Sequence, residues 1–283
     1  MKAFAANLED VFREAAARWT LVAYFTLSSL FILIFACAVN LDIVNGALAG
    51  AKIFGQSVQM GGEKVDLDKL VLGFESGFAG FLYLVGTFLA VFATAHLVPR
   101  MQERGTVDLY LSRPVSRPAL LLSRYSAGLL LSASNLVYLL GAIWLIVALK
   151  THVFSGRFFL AGGVILFGIA ALLAFAFLVG VVTSSTAVSI MATYALFFFS
   201  AMLAVHDKIA ATLSSEWGAR TIHGLYWALP KTADLGKAAV ALVAGDEIPH
   251  LSKSLALAPF LSTGAFTLVA LSLAVILFRR KDF

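Results

Sequence analysis

The sequence predicts an all-α, polytopic integral membrane protein, and three observations carry that reading. Of 283 residues, 60% are hydrophobic and only 13% charged, against roughly 25% charged in soluble domains. The apolar residues gather into six long runs, at 19–39, 74–98, 121–149, 158–182, 187–205 and 257–278. Each matches the roughly 20 apolar residues that a helix needs to cross a hydrocarbon core of about 30 Å. The formal charge of +5 does not mark a nucleic-acid partner in so hydrophobic a chain; it orients the chain in the membrane.

Residues 1–18 come first. Phe4, Leu8, Val11, Phe12, Ala15 and Trp19 recur at helical spacing, while Glu9, Asp10, Arg13, Glu14 and Arg18 fill the other faces. This is the pattern of an amphipathic helix lying on the membrane interface, or of an extension of the first span. In that span Cys37 is the lone cysteine. It excludes an internal disulfide or a thiolate cluster and reads as a small apolar residue within a helix.

The segment 40–73 is mixed and Gly-rich, with Gly61-Gly62 as a turn signal, and shows no chemistry. The second span carries Gly73, Gly77, Gly80 and Gly86, which serve either a dimer seam or packing within the chain. Glu75 is placed at its outer edge, in reach of water, and Arg124 at the start of the third span is expected to snorkel to the inner surface. Asn135 is the one strongly polar side chain deep in a span, and a structural role is assigned to it through a bond across helices or to backbone. Thr183-Ser184-Ser185-Thr186 joins the fourth and fifth spans in a tight hairpin. The outer segment 206–256 holds short helices, with Leu235, Ala238, Ala239, Leu242 and Val243 on one face, lying on or dipping into the outer leaflet.

Six spans put both termini on one side. The connections on that side carry eleven Lys/Arg against six Asp/Glu, whereas those on the other are nearly balanced. The Lys/Arg bias therefore places the termini in the cytoplasm.

No G-x-x-x-x-G-K-[ST] motif occurs, so the chain has no phosphate loop, and it is read as a non-enzyme. His96, His152, His206, His223 and His250 are scattered without metal-ligand spacing; the last four fall in outer segments, where they could meet as a metal site, but they are read as solvated or interfacial, with no metal assigned. The absence of buried charge in the spans counts against a secondary transporter or channel.

The densest polar segment runs over 99–120, between the second and third spans. A short helix from Gln102 to Leu111, stopped by Pro114 and Pro118, would present Glu103, Arg104, Asp108 and Arg113 as a docking surface. The run Glu103-Arg104-Gly105-Thr106-Val107-Asp108-Leu109-Tyr110-Leu111-Ser112-Arg113-Pro114-Val115-Ser116-Arg117 resembles the E-x-G-T-x-x-x-L-L-S-x-P-V-x-R loop of ABC-2 type transporter permeases. In layout the chain is most similar to single-domain permeases of the bacterial copper-site and nitrous-oxide-reductase maturation type. One departure is the Thr183–Thr186 turn, where relatives often carry a basic residue.

The resemblance implies one transmembrane domain over 1–283, acting as a dimer in the bacterial plasma membrane. It implies a separate ABC ATP-binding subunit carrying ATP and Mg2+, with no cofactor in this chain. The further partners are membrane lipid and an accessory protein on the outer side. The coupling residues it implies are Glu103, Arg104, Gly105, Thr106, Asp108, Leu109, Leu111, Ser112, Arg113, Pro114 and Arg117, of which Arg117 is alternatively a lipid-phosphate anchor. The competing readings are a secondary transporter or channel, and a membrane anchor or assembly factor that moves no solute.

Overall fold

The computed structural model describes residues 19–44, 47–53, 56–58, 67–103, 116–212, 215–245 and 256–281. The elements are α1 (Thr20–Ala38), β1 (Val39–Val44), β2 (Ala47–Ile53), β3 (Gln56–Val58), α2 (Leu67–Thr94), α3 (Leu97–Met101) and α4 (Arg117–Thr151). They continue with α5 (Arg157–Thr183), α6 (Thr186–Met202), a 3-10 turn (Leu203–Val205), α7 (His206–Thr212), α8 (Glu216–Ala228), α9 (Thr232–Ala244) and α10 (Leu257–Arg280). The interfacial helix expected over residues 1–18 and the Gly61-Gly62 turn lie outside the described residues.

Among the described residues, five helical stretches are long and apolar enough to cross a membrane: Val71–Met101, Arg117–Thr151, Arg157–Thr183, Thr186–Thr212 and Leu257–Arg280. The sixth, α1, has 19 residues. At 1.5 Å per residue it reaches about 28 Å, close to the thickness of the hydrocarbon core. The chain is a multi-pass membrane protein, with a helix at each of the six expected positions. We call the face where α2, α5 and α10 end the inner face, following the charge bias.

The bundle is arranged around α5, which packs against α2, α4, α6, α9 and α10. Its sequence explains why. From Arg157 to Thr183 it is apolar on all sides, and a helix without a polar face is stable only when surrounded. Ile165, Ile169, Leu172, Leu173 and Phe177 are each at most 1% exposed.

Three features depart from the expectations above. First, a three-stranded antiparallel meander, in the order β1-β2-β3, follows α1, with Val44 paired to Ala47 across the first turn. The intervening dipeptide is Asn45-Gly46, the pair favoured in two-residue hairpin turns, a cue that the Gly-rich composition of 40–73 overshadows.

Second, Glu75 is not at a wet edge. Because α2 starts at Leu67, Glu75 lies two turns inside the helix, 1% exposed. Its Oε2 has no hydrogen-bond partner. One buried carboxylate therefore stands against the expected absence of buried charge in the spans. Third, Arg124 does not snorkel. It is 3% exposed, enclosed within the inner end of the bundle, because α4 begins at Arg117, two turns before it.

Other expectations hold. Asn135 bonds across helices, its Oδ1 accepting from Ser28 Oγ at 2.9 Å. Of the α2 glycines, Gly80 faces α9 so closely that a Cβ there would lie 3.1 Å from Val240, while Gly73, Gly77 and Gly86 look onto open space.

Glu75→Gln removes the buried charge while keeping the shape. It is expected to stabilise the detergent-solubilised protein by about 1–3 kcal/mol, read as a higher thermal midpoint. An unchanged or lower midpoint would mean that the carboxylate is compensated.

Candidate functional site

Two polar sites punctuate the apolar bundle, one at each face. The inner one frames the segment 99–120. α2 ends at Thr94 and the helix resumes at Leu97 as α3. Pro99 explains the break: it has no N–H to offer the carbonyl four residues back, that of Ala95, and its ring crowds that carbonyl. The re-aimed turn buries Leu97, Val98, Pro99 and Met101. Pro99 packs against Gly180 of α5, where a Cβ would lie 3.2 Å from the proline Cδ. Glycine at 180 permits this approach.

Gln102 follows, and it is the hub of the inner face. Its Nε2 donates to the Gly180 carbonyl at 2.9 Å, and its Oε1 accepts from Ser184 Oγ at 3.0 Å and from Lys281 Nζ at 2.6 Å. Lys281 also donates to the Val181 carbonyl and to Ser184 Oγ, each at 2.7 Å. Carbonyls in the last turn of a helix lack intrahelical donors, and a lysine beside them also opposes the negative end of the helix dipole. Partial burial lowers the Lys281 pKa from the usual lysine value, through desolvation of the charged form. Across the cluster, Arg117 Nη1 donates to the Lys281 carbonyl at 2.8 Å and to the Arg279 carbonyl at 3.2 Å. The ends of α3, α4, α5 and α10 are thereby clasped together.

The turn between α5 and α6 is as tight as expected. Ser184 takes a left-handed conformation, with φ of 52°, and Ser185 caps α6 by accepting from the Val188 N–H.

Of the expected coupling residues, Glu103 and Arg117 stand at the two rims of the loop. Arg104, Gly105, Thr106, Asp108, Leu109, Leu111, Ser112, Arg113 and Pro114 lie outside the described residues. Gln102 and Glu103 close α3, with backbone N–H groups turned back to Pro99 and Arg100; the remainder of the helix expected from Gln102 to Leu111 lies outside the described residues. Arg117 donates from Nη1 to backbone carbonyls at the end of α10. The basic residue missing from the α5–α6 turn is supplied in space by Lys281. Sequence reasoning missed Gln102, Ser184 and Lys281, since nothing in their spacing signals a contact spanning 179 positions.

The outer site is built where α9 enters the bundle. α9 buries Leu235, Ala238, Ala239 and Val243 against α2 and α5, the dipping helix that its apolar face predicted. The Tyr83 ring is wedged between Gly168 of α5 and Gly236 of α9, where Cβ atoms would lie 3.1 and 3.0 Å away. The Tyr83 hydroxyl donates to the Thr232 carbonyl at 2.6 Å. The Lys231 N–H donates to Thr263 Oγ1 at 3.0 Å, and Ser200 Oγ to the Pro230 carbonyl. Lys231, 3% exposed, donates Nζ to the Tyr226 carbonyl at 2.9 Å and sits 3.6 and 4.3 Å from the Tyr226 and Trp227 ring centroids.

Between the two faces, α1 and α2 border a groove of about 630 Å³ lined by Ala23, Tyr24, Leu27, Leu89, Phe92 and, at its inner end, Arg100. Its lining is mainly apolar.

The described residues form a helical membrane bundle with a proline-broken, clasped inner end and a half-helix folded into its outer end. The family is plain: residues 8–283 match the model of the ABC-2 family transporter proteins, and the chain belongs to that family. No curated protein sequence is significantly similar to it. The family makes the chain a membrane permease component of an ABC transporter, paired with an ABC ATP-binding subunit.

Gln102→Ala and Lys281→Ala each remove hydrogen bonds of the inner clasp and are expected to destabilise the protein by about 1–2 kcal/mol. Their effects should not add, because the two side chains share one bond. Additive midpoint shifts in thermal unfolding would show that the clasp is not a unit.

Proposed function

We propose that the chain is the membrane-spanning permease subunit of an ATP-driven ABC-2 transporter, working as a homodimer in a bacterial plasma membrane with both termini in the cytoplasm. ATP and Mg2+ act on a separate ATPase subunit. The segment 99–120 receives the ATPase, with Glu103, Arg104, Asp108 and Arg113 as docking contacts, Gly105 permitting the turn and Pro114 fixing the exit. The observation that carries this reading is the inner clasp. Both rims of the loop, Glu103 and Arg117, adjoin a hydrogen-bonded block joining α3, α4, α5 and α10. A displacement of the docked loop is thus passed to four helices rather than absorbed by a flexible linker.

ATP binding shifts the permease equilibrium only by the difference in ATPase affinity between its two conformations. The product of the cycle is export or a conformational signal to the outer side. The apolar groove between α1 and α2 supports an acyl-bearing or otherwise apolar cargo. Assignment to the copper-site and nitrous-oxide-reductase maturation branch is supported by layout alone.

Purification of the chain under gentle crosslinking is expected to recover a stoichiometric soluble subunit with a phosphate loop. Glu103→Ala combined with Arg104→Ala and Arg113→Ala should reduce permease-dependent ATPase stimulation about fivefold or more. Recovery of the chain alone, or full stimulation by the triple variant, would overturn the reading.

A further inference from the structure

We propose that His206, Asp207 and His223 form a binding site for one divalent transition-metal ion of the Zn2+ class on the outer face. The inference does not depend on ATP coupling. Their ligand atoms all lie within 4.8 Å of one another. The two histidines come from different helices, α7 and α8, and their ring centroids are 5.0 Å apart.

The orientation of His206 favours a metal ligand. Its Nδ1 is 3.2 Å from the Leu203 carbonyl oxygen, which can only accept. With the ligating tautomer, Nδ1–H donates to that carbonyl and Nε2 is left with its lone pair for a metal ion. A backbone carbonyl holding the far nitrogen of a ligating histidine is a recurrent support in metal sites. Nε2 in turn lies 3.3 Å from Asp207 Oδ1. That is the ligand-to-ligand separation, about 3.3 Å, of a tetrahedron with bonds of about 2.0 Å. The ring is held flat by stacking on Tyr226, 3.8 Å between centroids at 13°.

The donor set is two imidazole nitrogens and one carboxylate oxygen, which suits zinc and leaves a fourth position to water or an incoming ligand. The position is accessible: the Asp207 side chain is 80% exposed, while that of His206 is 14% exposed. The 20 residues from Thr186 to Val205 climb about 30 Å, so His206 emerges at the rim of the hydrocarbon core rather than within it.

A bound ion would join α7 to α8 and, through Tyr226, reach α9. The Tyr226 hydroxyl donates to Asp234 Oδ2 at 2.9 Å. The ion would thus lock the outer helices onto the half-helix that enters the bundle.

The test uses the full chain in mild detergent, carrying a tag without histidine, stripped with a chelator and titrated with Zn2+ against a chromogenic competitor. One equivalent per chain is expected. Affinity should fall about tenfold or more in Asp207→Asn, an exposed and isosteric change that spares folding. His206→Ala and His223→Ala should abolish binding, and His152→Ala should bind as the parent does. Failure of the parent chain to bind zinc, or parent-like binding by both Asp207→Asn and His223→Ala, would overturn the proposal.

Discussion

The constraint on which this structure depends is that a backbone amide or carbonyl inside a bilayer must find a partner within the protein. Uninterrupted helices meet it automatically, and most of the bundle consists of them. Where helices stop inside or beside the apolar phase, side chains make up the difference. Tyr83, Ser200 and Thr263 provide for the entry of α9, while Gln102 and Lys281 provide for the end of α5. Most hydroxyls in the described spans donate to a carbonyl three or four residues back in their own helix, and a few side chains, these among them, serve broken backbone.

This economy divides the molecule into a stiff centre and two adjustable ends. α5 is enclosed by α2, α4, α6, α9 and α10 and packed in a core with little room to deform continuously. The hydrogen-bonded clusters at either face can exchange partners at much lower cost. Switching in tightly packed proteins proceeds between discrete arrangements, and the clasp and the α9 entry are the two places where such arrangements could be exchanged. They touch the same rods: α5 carries Gly180 at the inner clasp and Gly168 against Tyr83 near the outer one.

Hydrophobic periodicity makes the helices legible. All six runs, the short α5–α6 turn, the buried face of α9 and the bond-seeking Asn135 can be read from pattern because each follows from neighbours close in sequence. Glu75 and Arg124 escape that reading for a related reason. An apolar run marks where a span begins, whereas α2 and α4 begin earlier, at Leu67 and Arg117, and carry both charges into the protein. The pairing of β1 with β2 is signalled, but only by a two-residue cue in the sequence between them. The clasp is not legible, since it depends on how helix ends meet in space; that outer-side histidines could meet is legible, but which of them do is not. For the segment 99–120, motif resemblance suggests a role where spacing alone would leave a solvated turn.

The half-helix α9 also bears on how the chain is made. With 13 residues it is too short to span the hydrocarbon core on its own, and it borrows a hydrogen bond from Thr263 of α10, the next membrane helix to be synthesised. Its insertion is therefore not an event of the kind that places α1 or α5. The outer end of the protein therefore reaches its full hydrogen bonding only when α10 is in place to accept from the start of α9.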